Sequence, residues 1–181
     1  RSGLTDDKEL GFLLPKLNAF SLSEIIIHPR FAKQLYKGIA DLELFILCQE
    51  SCFHNLSYNG DINSLETFKH YNSELKTISK FMLGRGLIAN PFLANEIKNN
   101  DFTNPTIKKK IFLEFHLSLY NAYFEKLSDK NHVLSRMKGL WGYFSELFIE
   151  NRKVNKKIKK SSTPAKYDNA VKEIFQDYNF H

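Results

Sequence analysis

Cysteine is scarce: Cys48 and Cys52 are the two in 181 residues, four apart and without the paired spacing or histidine partners of a zinc site. Two thiols staple little, which excludes a disulfide scaffold and leaves reduced, structural cysteines as the expectation. Long apolar runs are also missing. No window approaches the roughly 18 apolar residues that cross a bilayer, and the opening "RSGLTDDKEL" carries no apolar core of the signal type. No membrane partner and no metal are therefore expected, and the cytoplasm is the expected compartment. An acidic surplus is absent too: twenty-six Lys and Arg stand against twenty Asp and Glu, a net charge of +6 that suits a polyanionic partner without deciding for one.

What is present is enough apolar material, 43% hydrophobic and 14% aromatic, to bury a core for one or two domains. The basic excess is concentrated in "NRKVNKKIKK", residues 151–160, with six basic residues and no acid. Charge alone does not separate a solvated helix end from a phosphate-binding patch there.

Two kinds of organisation follow one another. Residues 1–90 alternate helix and strand. "TDDKELGFLLPKLNAF" has a capping residue, an acidic first turn and helical spacing until Pro15 interrupts it; "DLELFILCQES" is helical; "NSLETFKHYNSEL" has Asn63 or Ser64 as cap and Glu66 near the capping-box position. Between them, "SEIIIHPR", "HNLSYNGD" and "KFMLGRG" read as strands, and strands separated by single helices run parallel. In residues 91–181 the strand signal disappears and long 3.6-periodic segments take over, including an uninterrupted "HVLSRMKGLWGYFSELFIENRKVNKKIKK" and a last helix with Thr163 as N-cap and Pro164 at its first position. Phe112, Phe115, Tyr120, Tyr123, Phe124, Trp141, Tyr143, Phe144 and Phe148 recur at helical spacing, which marks core rather than a stacking platform.

The three strands end near His28, Asn59 and Gly84, separated by about 31 and 25 residues as successive βα units require. In parallel α/β folds, binding groups collect at such C-terminal strand ends. Asn59-Gly60-Asp61 offers an open backbone and an amide for an anion, and Gly84 and Gly86 open the chain around Arg85, whose guanidinium meets a phosphate bidentately. Each motif alone is weak; together, one unit apart, they favour phosphate binding over plain turns. His28 and Arg30, two apart in an extended segment, share a face; a ligand pair and a salt-bridged strand end both fit them. A barrel needs eight strands and about 250 residues, so three strands point to the C-terminal portion of a longer protein.

Taken together, His28-Pro29-Arg30 with "KQLYKG", Asn59-Gly60-Asp61, "MLGRGLIANPFL" and "HVLSRMKGLWGYF" resemble the C-terminal half of the bacterial tRNA-dihydrouridine synthases. The resemblance runs from about residue 1 to about residue 175, and "RSG" is similar to the end of the family's fifth-strand motif, Lys-x-Arg-x-Gly. It implies about strands 6–8 of an FMN-dependent TIM (β/α)8 barrel over residues 1–90 and a helical tRNA-binding domain over 91–181. It further implies that NADPH reduces the flavin, which passes hydride to C6 of a uridine while a cysteine protonates C5. By position, the resemblance gives the flavin to His28, Asn59, Gly60, Asp61, Gly84 and Arg85, and the substrate side to Arg30. Arg136, Lys138, Arg152, Lys153 and Lys156 are then candidates for tRNA, with Lys108, Lys109, Lys110 and Lys157 beside them. Pro29 departs from the small residue usual between the histidine and arginine. The catalytic cysteine belongs to an Asn-x-x-Cys-Pro loop of the family's N-terminal half, which neither Cys48 nor Cys52 matches, so no catalytic residue is expected here and the N-terminal half is an expected partner. A flavin barrel acting on a small metabolite and a helical RNA-binding module with a barrel remnant are the competing readings.

Overall fold

The computed structural model describes residues 1–6, 8–35, 37–99 and 104–181. Asp7 of the expected acidic turn and Tyr36 of "KQLYKG" lie outside the described residues. The chain divides into two compact units, Arg1–Gly86 and Leu87–His181.

In the first unit, β1 (Ile25–Ile27) and β2 (Leu56–Tyr58) pair in parallel, with Ile25 opposite Leu56 and Ile27 opposite Tyr58. Three helices accompany them: α1 (Lys8–Leu17), α2 (Leu42–Ser51) and α3 (Leu65–Glu74). Asp41 caps α2 by accepting the Leu44 N–H at 2.9 Å, which satisfies one of the donors that a helix start leaves open. The α3 box is closed by Ser64 and Thr67, not by Glu66: the Thr67 N–H donates to Ser64 Oγ at 3.1 Å and the Ser64 N–H to Thr67 Oγ1 at 3.0 Å. Helix α1 runs through Pro15, which has no N–H to give to the preceding turn, and the helix ends two residues later at Leu17.

The expected third strand is reduced to one parallel bridge, Tyr58 to Phe81. The ladder stops there, and Arg85 already lies in α4 (Arg85–Ala89), the short helix that contains the boundary between the units. The Asn59 side chain takes the next rung instead, donating Nδ2–H to the Met82 carbonyl at 2.8 Å. Nor is β1 covered on both faces: Ile27 is buried, but Ile26 is 48% exposed on the opposite face. The buried face centres on Tyr58, whose ring meets Phe45 edge-on at 5.1 Å and Tyr71 at 4.9 Å.

The second unit contains α5 (Leu93–Asn99), α6 (Pro105–Lys126), α7 (Lys130–Phe144), α8 (Asn151–Lys160) and α9 (Pro164–Asp177). Thr163 caps α9 with Pro164 in its first turn. The long segment from "HVLSRM" to "KKIKK" is broken: a 3₁₀ turn at Ser145–Leu147 separates α7 from α8. Tertiary pairing replaces the helical bonds there. The Ile149 N–H donates to the Asn179 carbonyl at 3.0 Å, the His181 N–H to the Leu147 carbonyl at 2.9 Å, and Phe148 forms an antiparallel bridge with Phe180.

Of the periodic aromatics, Phe112, Tyr120, Trp141, Phe144 and Phe148 are core, while Phe115 and Tyr143 are 42% and 38% exposed. Among the described residues, no helix is long and apolar enough to cross a membrane.

Three polar side chains meet inside the apolar core of this unit. Trp141 Nε1–H points at Tyr167 Oη, 2.7 Å away, and lies 3.3 Å from His116 Nε2, which is itself 2.7 Å from the Tyr167 hydroxyl. Burial pushes the His116 imidazole down from 6.5 to about 4. The unfolded chain takes up that proton near pH 6.5 and the folded chain only near 4, so the stability due to this group is present above 6.5 and lost as pH falls towards 4. The loss amounts to on the order of 3 kcal/mol. Urea unfolding followed at Trp141 is expected to shift to lower denaturant between pH 7 and about 4.5, and the His116→Gln variant to lose that part of the slope. An unchanged slope in the variant would assign the acid sensitivity elsewhere.

Candidate functional site at the strand ends

β1 stops at Ile27 because Pro29 turns the chain: the Arg30 N–H donates back to the His28 carbonyl at 2.8 Å, a three-residue turn around the proline. Strand alternation therefore ends before His28, and the shared face expected of His28 and Arg30 gives way to two separate contacts. His28 Nδ1–H donates to the Asn59 carbonyl, joining the two strand ends. Burial lowers the His28 pKa, the Asn59 bond opposes this, and the positive charges of Arg1 and Arg30 lower it further. The imidazole is thus held neutral, with Nε2 as its acceptor.

Arg30 is 2% exposed and salt-bridged. Its Nη1 and Nη2 grip Asp61 Oδ1 and Oδ2 at 2.9 and 2.6 Å, a bidentate fork, and Nη2 also donates to the Gly38 carbonyl. Asp61 receives two more donors, the Ala40 N–H at 3.3 Å and Arg85 Nη2 at 3.2 Å. Asn59 is tied by its own N–H to the Ile27 carbonyl at 2.9 Å and by its amide to Met82.

Gly60 has a packing reason, since a Cβ there would lie 2.1 Å from the Tyr58 hydroxyl. Gly84 has none: a Cβ built there meets nothing within 4 Å. It leaves open space next to Arg85, whose side chain is 42% exposed. His28, Arg30, Asn59, Asp61 and Arg85 thus converge through direct bonds, whereas Gly60 serves the core.

Residues 31–35 and 37–40 close the cluster; "KQLYKG" marks part of this stretch in the resemblance, but motif reading gave it no contacts. Arg1 Nη1 donates to the Phe31 and Leu35 carbonyls at 3.0 and 2.9 Å, the Ser2 N–H to the Arg30 carbonyl at 3.1 Å, and the Ala32 N–H to the Gly3 carbonyl at 2.7 Å. Leu35 has φ 54° and Gly38 φ 69°. The glycine was the legible signal; the positive φ of Leu35, a strained value for a branched side chain, had none.

The basic candidates lie in the second unit. Arg136 is exposed on α7, and Arg152, Lys153 and Lys156 are exposed on α8, with Val154 and Ile158 fully buried beneath them. Lys153 reaches Glu150 at 3.5 Å. Lys138 is held inside the unit, donating to the Ser161 carbonyl. Lys109 donates to the Tyr178 carbonyl at 2.6 Å, and Lys108 and Lys157 pair with Glu96 and Glu173, while Lys110 is exposed. Both thiols are free; Cys48 is buried, and burial pushes it up to about 11, so it is inert rather than nucleophilic.

Two arginines gathered around one carboxylate at the C-terminal ends of parallel strands define an α/β protein with its polar cluster where such folds collect their binding groups. The chain belongs to the dihydrouridine synthase family, whose model, "Dihydrouridine synthase (Dus)", matches residues 7–179. Two relatives carry the name tRNA-dihydrouridine(47) synthase [NAD(P)(+)]-like. That of Arabidopsis thaliana is 23% identical over 129 residues, 67% of this chain and 19% of that protein. That of Xenopus tropicalis is 36% identical over 88 residues, 48% of this chain and 13% of that protein. The chain thus spans less than a fifth of the length of these curated relatives.

Removing the shared carboxylate leaves a buried cation without a counter-ion. Asp61→Ala is expected to destabilise the first unit by about 3–5 kcal/mol, read as a lowered denaturation midpoint. A loss below about 1 kcal/mol, the range of a surface pair, would mean that Arg30 reaches solvent.

Proposed function

We propose that this chain is the C-terminal portion of an FMN-dependent tRNA-dihydrouridine synthase that reduces the C5=C6 bond of particular uridines with NADPH as the reductant. The observation that carries this reading is the convergence of His28, Asn59, Asp61 and Arg85 at parallel strand ends, in a chain that belongs to the dihydrouridine synthase family. Residues 1–90 are the last part of the barrel and 91–181 the tRNA-binding domain. The bacterial members are those whose motifs the sequence resembles, although both relatives named above are eukaryotic.

The residues present fit a flavin phosphate: Arg85 supplies a half-exposed guanidinium, and Gly84 supplies space beside it. The chemistry a flavin supplies when bound is hydride delivery to C6 of the uracil ring. His28, neutral and with Nε2 as acceptor, is placed to receive a hydrogen bond from a heterocyclic N–H, and the proton for C5 comes from a cysteine outside this chain. The 181-residue chain alone is expected neither to hold FMN tightly nor to form dihydrouridine. Turnover of tRNA by the isolated chain with FMN and NADPH would overturn that. For the whole enzyme, mapping of dihydrouridine along tRNA tests the reaction, with position 47 read first because both relatives bear that number in their names.

Selecting one base in a folded tRNA requires a cationic surface to hold the phosphates while the base is extruded. The exposed face of α8 suits this: Arg152 and Lys156 are one turn apart, and α8 carries no acidic residue of its own. Arg152→Glu with Lys156→Glu is expected to weaken tRNA binding and to lower the slope of log affinity against log salt by roughly 2, about one per cation. An unchanged slope would remove α8 from the interface.

A further inference from the structure

We infer that Arg30 is a positioning residue that acts through Asp61 to fix Arg85, so that the phosphate contact falls to Arg85 while Arg30 and Asp61 stay off the ligand. The inference rests on the flavin reading above and reassigns two of its residues. Arg30 is sealed from any ligand, 2% exposed, with both terminal nitrogens engaged by Asp61 and the Gly38 carbonyl. A carboxylate is a poor neighbour for a phosphate because like charges repel, so a direct phosphate contact from Asp61 is the wrong chemistry. Holding arginines is the right one.

Asp61 Oδ1 accepts from Arg30 at 2.9 Å and from Arg85 at 3.2 Å, so the two guanidinium groups grip one oxygen. Asp61 is itself immobilised by the bidentate fork and the Ala40 N–H. Arg85 lies between Gly84 and Gly86, and its long side chain would otherwise sample many rotamers. Anchoring it to a fixed carboxylate orders it before the anion arrives, the general route by which preorganisation raises affinity. The carboxylate between two guanidinium groups also leaves these three groups with one positive charge in excess, which an anion at Arg85 compensates.

The test compares FMN with riboflavin, which differ by the phosphate, using flavin fluorescence quenching on the complete enzyme that carries this chain. Arg85→Gln is expected to lower FMN affinity roughly 10- to 100-fold, the worth of a charged hydrogen bond, with riboflavin unchanged. Arg30→Lys keeps the buried charge but loses the fork, and is expected to lower FMN affinity about 3- to 10-fold, again with riboflavin unchanged. The double variant should fall no lower than Arg85→Gln alone, because Arg30 has no route to the ligand except through Arg85.

Equal loss for both flavins, an Arg30→Lys ratio like wild type, or a double variant equal to the product of the singles each overturns the positioning role. Where Arg30→Lys fails to fold, Asp61→Asn, which keeps the shape and removes the charge, reads the same coupling. A wild-type enzyme that binds FMN no better than riboflavin overturns the phosphate reading itself, and the inference with it.

Discussion

The guanidinium of Arg30 is the constraint on which the functional end of the first unit depends. A cation taken out of water costs several kcal/mol unless it is paired with good geometry, and here the pairing comes from a residue 31 positions along the chain, Asp61, and from the Gly38 carbonyl. Satisfying that one charge therefore draws three loops together: the proline turn after β1, the Gly38 bend, and the Asn59-Gly60-Asp61 turn after β2. The histidine bond from His28 to the Asn59 carbonyl runs alongside it. Two adjacent strand ends thereby become one rigid element, and Arg85 is moored to it from the next segment.

The second unit solves a different problem. Its core buries Trp141, Tyr167 and His116, whose indole N–H, hydroxyl and Nε2 pair with one another while His116 Nδ1 is left without a partner among the described residues. Val154 and Ile158 anchor α8 from beneath; of its cations, Lys157 pairs with Glu173 on α9 and Lys153 with Glu150, while Arg152 and Lys156 are exposed. The helix is thus held by two buried residues and one cross-helix ion pair, and carries six cations with no acidic residue of its own.

How much of this was legible follows from the range of each interaction. Strand ends, caps and helix periods are local, so "III" before a proline, the helical pattern of α2 and Thr163-Pro164 before α9 could be read directly. The third strand could not, because its apolar residues suited a ladder of which one bridge forms, the Asn59 amide taking the Met82 carbonyl in place of a backbone N–H. The break between α7 and α8 is invisible for a related reason: the 3.6 period continues through Phe144 and Phe148, while the bonds that end the helix come from residues 179–181. Arg30 is the sharpest case. Motif and spacing put it among ligand contacts or in a salt bridge, and only the fold brings Asp61 within 2.6 Å to decide its surroundings.

The same unit carries a physical argument about how it works. Parallel sheets are ordinarily covered on both faces, because their strands cannot satisfy an apolar face against water. Among the described residues, Ile26 on β1 and Met82 beyond the Phe81 bridge remain 48% and 47% exposed, while Tyr58 and Ile27 on the other face are sealed. An inward apolar face of this kind suits a closed barrel, where neighbouring strands bury it in layers, and the relatives that share the family are several times longer than this chain. The Arg30–Asp61–Arg85 cluster sits at the strand ends of that half-covered sheet. Its two arginines share one carboxylate within this chain, while Arg30 Nε is buried without a partner among the described residues, and a closed barrel around these strand ends requires more strands than those residues contain.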